Sequence, residues 1–312
     1  MKLRAFLALS LLSPACAGPQ TSPSSSASPP AAAVSAADPT TFEGAKIIVA
    51  DFQRRHSVLP ADHGLRSPKS LDDVLAILKS DQIELFEGGI QFAKTSAEPH
   101  AKALQAQMEL AWGDACIVLA DILWETAARL RPTLRAFEMQ AAAGKLGQEQ
   151  QERHDELRRT VADYANVATA LMRFGDEHLV IGASLTRAVI DGRPDHYAGY
   201  RVAADYYRMR QDWEAFEGMV AKITAHNPDS NGLLFAQATA AADRDGDRTR
   251  AAELFRQALS RDPEFARARA YLVLWADSAQ AQYEAYQSLK EANPTHQIVV
   301  WAGKGIEAAQ AR

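Results

Sequence analysis

The sequence predicts an all-α protein, and three observations carry that expectation. Alanine is abundant along the whole chain, which favours helix over strand. The run from Gly246 to Pro263, GDRTRAAELFRQALSRDP, puts Ala251, Phe255, Ala258 and Leu259 on one helical stripe, at steps of four, three and one. Pro194, Pro228, Pro263 and Pro294 follow one another at intervals of 34, 35 and 31 residues, so helical segments are cut off on a regular beat.

Alanines narrow the 251–259 stripe and let a neighbouring helix approach to the short end of the usual ~8–10 Å. Phe255 fills the gap they leave. Pro263 stops the helix, because it lacks an amide proton and clashes with the preceding turn. This run resembles helix B of a tetratricopeptide repeat, whose small, aromatic, small and proline slots hold Ala251, Phe255, Ala258 and Pro263. An earlier stretch, LADILWETAARLRP, carries Ala120, Trp124, Ala127 and Pro132 at the same offsets. The resemblance implies an α-solenoid of helix hairpins, each about 34 residues long and unable to bury its apolar face without a stacked neighbour.

Residues 1–17 read as an export signal: Lys2 and Arg4 precede the apolar run Ala5 to Leu12, which is too short to cross a ~30 Å hydrocarbon core. Ala15-Cys16-Ala17 fits ordinary signal peptidase, cutting before Gly18. Leu12 to Cys16 resembles a bacterial lipobox, in which Cys16 becomes the acylated first residue, although Ser13 stands where that family has an aliphatic side chain. Residues 18–39, rich in Ser, Pro and Ala and nearly uncharged, form a tether that cannot bury enough surface to fold. The expected location is the cell envelope, as a periplasm-facing membrane-anchored lipoprotein, or periplasmic or secreted if Cys16 is removed.

A helical N-terminal region, 40–99, follows. Thr40 and Glu43 stand at capping-box spacing ahead of FEGAKIIVADFQRR. An irregular stretch with Pro60, Gly64 and Pro68 separates that helix from a second, opened by Ser70 and Asp73 and running through Leu78. A third spans Ile83 to about Ser96, before Pro99. Its Gly88-Gly89 costs about 1 kcal/mol per glycine, so a close helix contact or a break is expected there.

Residues 100–195 read as a degenerate repeat region. A hairpin from Ala101 to Pro132 turns at Gly113-Asp114, an exposed helix polar on every face covers about 133–160, and Tyr164 to Pro194 is a degenerate repeat. Glu149 and Arg153 stand at i, i+4 on the exposed helix. Residues 196–294 carry the clearer repeats. The first, Tyr197 to Pro228, has Tyr200, Ala204 and Tyr207 in its first helix. Its second helix has Phe216 where the family prefers alanine, which loosens packing. Phe235 to Pro263 matches best, and Ala266 to Pro294 has Trp275, Tyr283 and Tyr286 as its large residues. Residues 295–312, with Ile298, Val299, Val300 and Trp301, form a helix that closes the open end of the stack.

Charge excludes some partners. The formal net charge is −5, with acidic and basic residues interspersed, so neither nucleic acid nor a polybasic membrane face is expected. His154-Asp155-Glu156 and Glu177-His178 lack the i, i+4 spacing of a helical zinc site and read as solvated faces. His56, Asp62 and His63 share one loop but lack a fourth ligand. Asp243, Asp245, Gly246 and Asp247 have Leu254 where a calcium loop needs its closing glutamate. No metal and no cofactor are expected. Cys116 lies in the apolar run ACIVLADILW, as a buried, inert thiol. No nucleophile elbow, phosphate loop or serine–lysine pair is present, which points away from an enzyme.

The resemblance implies a concave groove lined by the first helix of each pair. Arg201, Asp205 and Arg208, at i, i+4 and i+7, are its candidate lining, joined by Arg244. Such a groove suits an acidic segment or a C-terminal carboxylate of a protein or peptide partner. The competing reading makes them ordinary solvated residues and intrahelical ion pairs. A rival function is a periplasmic small-molecule binder or enzyme, with a pocket between the N-terminal helices and the hairpins and the loop from His56 to Arg66 at its mouth. A structural spacer is a third.

Overall fold

The computed structural model describes residues 37–56, 64–98, 100–192 and 197–311. The segment read as a signal peptide, Cys16, most of the tether, Pro60, Asp62, His63, Pro99 and Pro194 lie outside the described residues. Among those described, regular structure is helical throughout. The helices are α1 (Phe42–His56), α2 (Leu71–Ser80), α3 (Ile83–Thr95), α4 (Ala101–Ala142), α5 (Gln148–Gly192) and α6 (Tyr197–Met209). They continue with α7 (Trp213–His226), α8 (Asn231–Asp243), α9 (Arg248–Arg261), α10 (Ala266–Leu274), α11 (Ala279–Ala292) and α12 (Gln297–Gln310).

The first three helices follow the local signals, with one shift. Thr41, not Thr40, caps α1: its Oγ1 accepts from the Gly44 amide at 3.1 Å. Thr40 turns instead to the Asp38 carboxylate, to which its amide and hydroxyl both donate. Glu43 pairs with Lys46 and forms no capping box. Ser70 and Asp73 do form one at α2. Helix α3 runs unbroken through Gly88-Gly89, because those glycines sit against the Arg66 carbonyl and Pro68 on one side and Met108 on the other.

The expected hairpin from Ala101 to Pro132 does not form. A single helix of 42 residues, α4, takes its place, and α5 is a second of 45 residues packed alongside it. Gly113 is a crossing point and not a turn: a Cβ there would lie 2.8 Å from the Gly175 carbonyl oxygen, and one on Gly175 would lie 2.9 Å from that of Gly113. Backbone-to-backbone approach of two long helices compensates the propensity that glycine forfeits. Pro132 lies within α4 on its exposed side, so the ring faces solvent. Ala120 and Ala127 are fully buried and Trp124 packs at the margin of the same core, but within α4 and not on a second repeat helix. Likewise Tyr164 belongs to the middle of α5, so no separate repeat exists over 164–192. The polar segment 148–160 is exposed apart from His154, and is the first part of α5.

From 197 to 292 the expected hairpins are present as α6–α7, α8–α9 and α10–α11. Pro228, Pro263 and Pro294 stand just past the ends of α7, α9 and α11. Asp212, Asp247 and Ser278 cap α7, α9 and α11 through their side-chain oxygens. Ala251, Phe255 and Ala258 are all fully buried on the inward stripe of α9.

Helix α12 does not close an open end. It inserts between α4 and α11, burying Trp301 and Ile306. Gly305 lies against Tyr164 of α5 and Thr126 of α4, and Gly303 against Tyr286 of α11. One hydrophobic core therefore runs from α1 through α4 and α5 into α9, α10 and α12.

Candidate functional site

The three candidate groove residues of α6 occupy different environments. Arg208 is largely buried, with its side chain 10% exposed. Its Nη1 donates to Asp243 Oδ2 on α8 at 3.1 Å, its Nη2 lies 3.5 Å from Asp114 Oδ1 on α4, and its Nε lies 3.7 Å from Asp205 Oδ1. Tyr271 on α10 donates its hydroxyl to the same Asp114 oxygen at 2.6 Å. One turn earlier on α10, Arg267 donates to Asp81, in the α2–α3 turn, at 3.0 Å. The inner faces of α6 and α10 thus meet acids supplied by the chain's own N-terminal helices, and α8 adds Asp243 to the same cluster.

Electrostatics explain why this cluster is stable. Burial works against the charge on Arg208, but Tyr271, Asp114, Asp205 and Asp243 surround it and raise its affinity for the proton, so it stays charged. Burial pushes the Asp205 carboxyl up, opposed by Arg208. Arginine suits such a position, since its fork can serve several carboxylates at once. Arg201 is exposed, with its Nε over Gly232 of α8. The expectation of an open groove lined by Arg201, Asp205 and Arg208 is therefore corrected: α4 occupies that face, and Arg208 is consumed within the chain.

Arg244 serves a different place. Asp243 and Arg244 leave the end of α8 in different directions, the first to Arg208 and the second to Glu217 on α7. Arg244 also bonds Asp245 and lies 5.9 Å from the Trp213 ring centroid. The hydrogen bonds that the guanidinium donates to Asp245 and Glu217 raise its proton affinity, and the same contact lowers the Asp245 carboxyl.

Beneath Arg244 is a cleft of about 280 Å³ between the first and second hairpins. Phe216 and Val220 of α7, Ala240 of α8 and Leu254 of α9 lie at its bottom, each buried, so its accessible walls are mostly polar. Glu217, Gln237, Arg244 and Arg250 stand at its exposed rim. The sequence signals Phe216 as a misfit at an alanine slot, and it is buried at this junction among Ala204, Val220, Leu233 and Ala240. Sequence reasoning missed Val220 and Ala240, although comparison of successive units at the proline spacing could have found them.

Two histidines read as solvated are buried. His178 Nδ1 lies 2.7 Å from Glu109 Oε2 between α5 and α4, and its ring stacks on Trp112 at 3.9 Å. His154, on α5, lies against Phe137 of α4 with ring centroids 6.5 Å apart. Polar neighbours in sequence concealed both, because the long helices bury one residue in three or four whatever its type. Cys116 is fully buried, and burial pushes its thiol up, away from the reactive thiolate. His56 stacks on Phe52 at 4.2 Å. Among the described residues no group of three or more His, Cys, Asp or Glu side chains is arranged to hold a metal ion, and no helix is long and apolar enough to cross a membrane. No family model matches the chain, and no curated protein or solved structure matches it.

Proposed function

We propose that this chain is a non-catalytic scaffold of tetratricopeptide-like hairpins, exported to the cell envelope, that docks a protein or peptide partner on its C-terminal hairpins. The cleft between the first two hairpins is the observation that carries this reading, since exposed charged side chains of both hairpins meet there over buried apolar ones. The regular spacing of Pro228, Pro263 and Pro294 supports the repeat relationship. The signal-like start supports export, and Cys16 is the attachment point for a lipid anchor.

A partner does not enter along the inner arginines, because displacing α4 would break the core shared by Cys116, Tyr271, Trp301 and their neighbours. Burying one such side chain contributes roughly 1.5–3 kcal/mol, so a docking segment cannot offset the loss of several. The same packing works against the rival reading of a small-molecule pocket between the N-terminal helices and the hairpins.

Photo-crosslinking of the full chain in native envelopes, from positions on α7, α8 and α9, tests the proposal. Crosslinks from these positions to a distinct protein are expected. Crosslinks confined to copies of the same chain would remove the docking reading.

A further inference from the structure

Five large apolar side chains are exposed among the described residues: Leu71 and Leu75 on α2, Met139 near the end of α4, and Val180 and Ile181 on α5. Met139 stands by itself, and Val180 and Ile181 are chain neighbours about 100° apart round their helix. Leu71 and Leu75 alone lie one turn apart on one face, each 45% exposed, and half-buried Leu78 continues the line at i+7. We propose that this stripe of α2 is a contact surface for a second copy of the chain, joined across a two-fold axis that passes beside Leu75.

The other face of α2 is already engaged. Val74 and Ile77 are fully buried in the core and fix the helix in place, so the outer leucines are held on a firm surface. A single exposed leucine is ordinary on a protein surface, but two at i, i+4 form a seam of the kind that paired helices bury.

Charge selects the occupant. Asp72 and Lys79 are seven residues apart, hence on one edge of the leucine line, and both are exposed. Leu75 lies near the midpoint between them. A two-fold axis there runs the two copies of α2 antiparallel, and in such a contact residue i meets residue j of the second copy while its own j meets i. Asp72 then faces Lys79 of the second copy and Lys79 faces its Asp72, while Leu75 meets Leu75 and Leu71 approaches Leu78. Within the chain, Asp72 has no ion-pair partner among the described residues. Lys79 reaches Asp262 and Glu264 at 3.2 and 3.7 Å from a side chain 51% exposed, a solvated pairing that exchanges readily. A bilayer surface fits less well, because Asp72 and Asp73 put negative charge beside the stripe, where a membrane-lying helix carries Lys or Arg.

Two short helices make a small contact, so the dimer is expected to be weak and reversible. Sedimentation velocity of the full chain, with Cys16→Ser so that no acyl chain contributes, should show a monomer–dimer equilibrium as concentration rises. Leu75→Glu should weaken it by about tenfold or more, with Tm unchanged because the side chain lies outside the core. Asp72→Lys and Lys79→Asp should each weaken it, and the double reversal should restore it, since the antiparallel arrangement puts those two residues together. Leu75→Cys should give a disulfide-linked dimer on mild oxidation, and Met139→Cys, also solvent-facing, should lag well behind. A chain that stays monomeric up to about 1 mM, a dimer unmoved by Leu75→Glu, or a double reversal no better than the single changes would each overturn the proposal. So would a photo-crosslinker at position 75 that captures a different protein in native envelopes in place of a second copy. The docking reading concerns α7, α8 and α9 and is tested separately by crosslinks from those helices.

Discussion

Tyr271 and Asp114 lie 157 positions apart in sequence, yet the tyrosine hydroxyl donates to the aspartate at 2.6 Å. The bond joins α10 to the first third of α4 and sits beside Arg208, so it ties the C-terminal hairpins to the N-terminal helices through a shared carboxylate. Removing that carboxylate leaves Arg208 with fewer counter-charges in a buried place. Asp114→Ala should lower unfolding free energy by about 3 kcal/mol. Tyr271→Phe keeps the ring and loses one charge-assisted hydrogen bond, at a cost of about 1.5 kcal/mol. Urea denaturation of the two variants checks the order; equal losses would mean that Asp114 does not serve Arg208.

Gly113 offers a test by sign. Glycine to alanine in an open helix interior stabilises by up to about 1 kcal/mol, and Gly218 on α7, with open space around its Cα, should show that gain. Gly113→Ala should instead destabilise by about 1–3 kcal/mol, because its Cβ meets Gly175 and Leu179. Thermal melts of both variants compare them directly. A gain at both positions would place α5 further from α4.

Ala258 is fully buried on α9. Ala258→Leu should cost about 1–3 kcal/mol by overpacking, read as a lower urea midpoint. An unchanged midpoint would show that the helix contact can yield.

Asp176 on α5 has one carboxylate oxygen buried without a hydrogen-bond partner, and burial raises its pKa to about 6, with Arg173 opposing and Glu177 adding. A carboxyl with a raised folded pKa is favourable while protonated. Its contribution is fully present below the unfolded value of about 3.9 and is lost as pH rises through about 6. Asp176→Asn should therefore gain about 1 kcal/mol at pH 8, a figure reduced for partial solvation, and nothing at pH 4. Denaturation at the two pH values checks it, and equal effects at both would contradict the burial argument.

For the exported chain, Cys16→Ser should move the protein from the detergent phase to the soluble fraction. Identical partitioning of the two forms would exclude lipid attachment at Cys16.

Local chemistry made much of this fold legible. Ser70 with Asp73, the caps Asp212 and Asp247, and the stops at Pro228, Pro263 and Pro294 each act within a few residues, so α2 and the hairpins from α6 to α11 could be read directly. Thr40 and Thr41 differ only in which side chain meets a neighbouring amide, and there the signal erred by one residue.

The sequence by itself determined that the chain is helical and where its later hairpins begin and end, because capping, propensity and proline act along the backbone. Tertiary structure decided the rest. Gly113 looks like a turn until Gly175 arrives against it, and Arg208 looks like a solvent-facing cation until Asp114 meets it from 94 positions away. Whether Ala240 is covered depends on how Val220 and Phe216 pack against it from another helix. Burial and charge pairing are properties of neighbours in space, and such neighbours are not written at any fixed spacing in the chain.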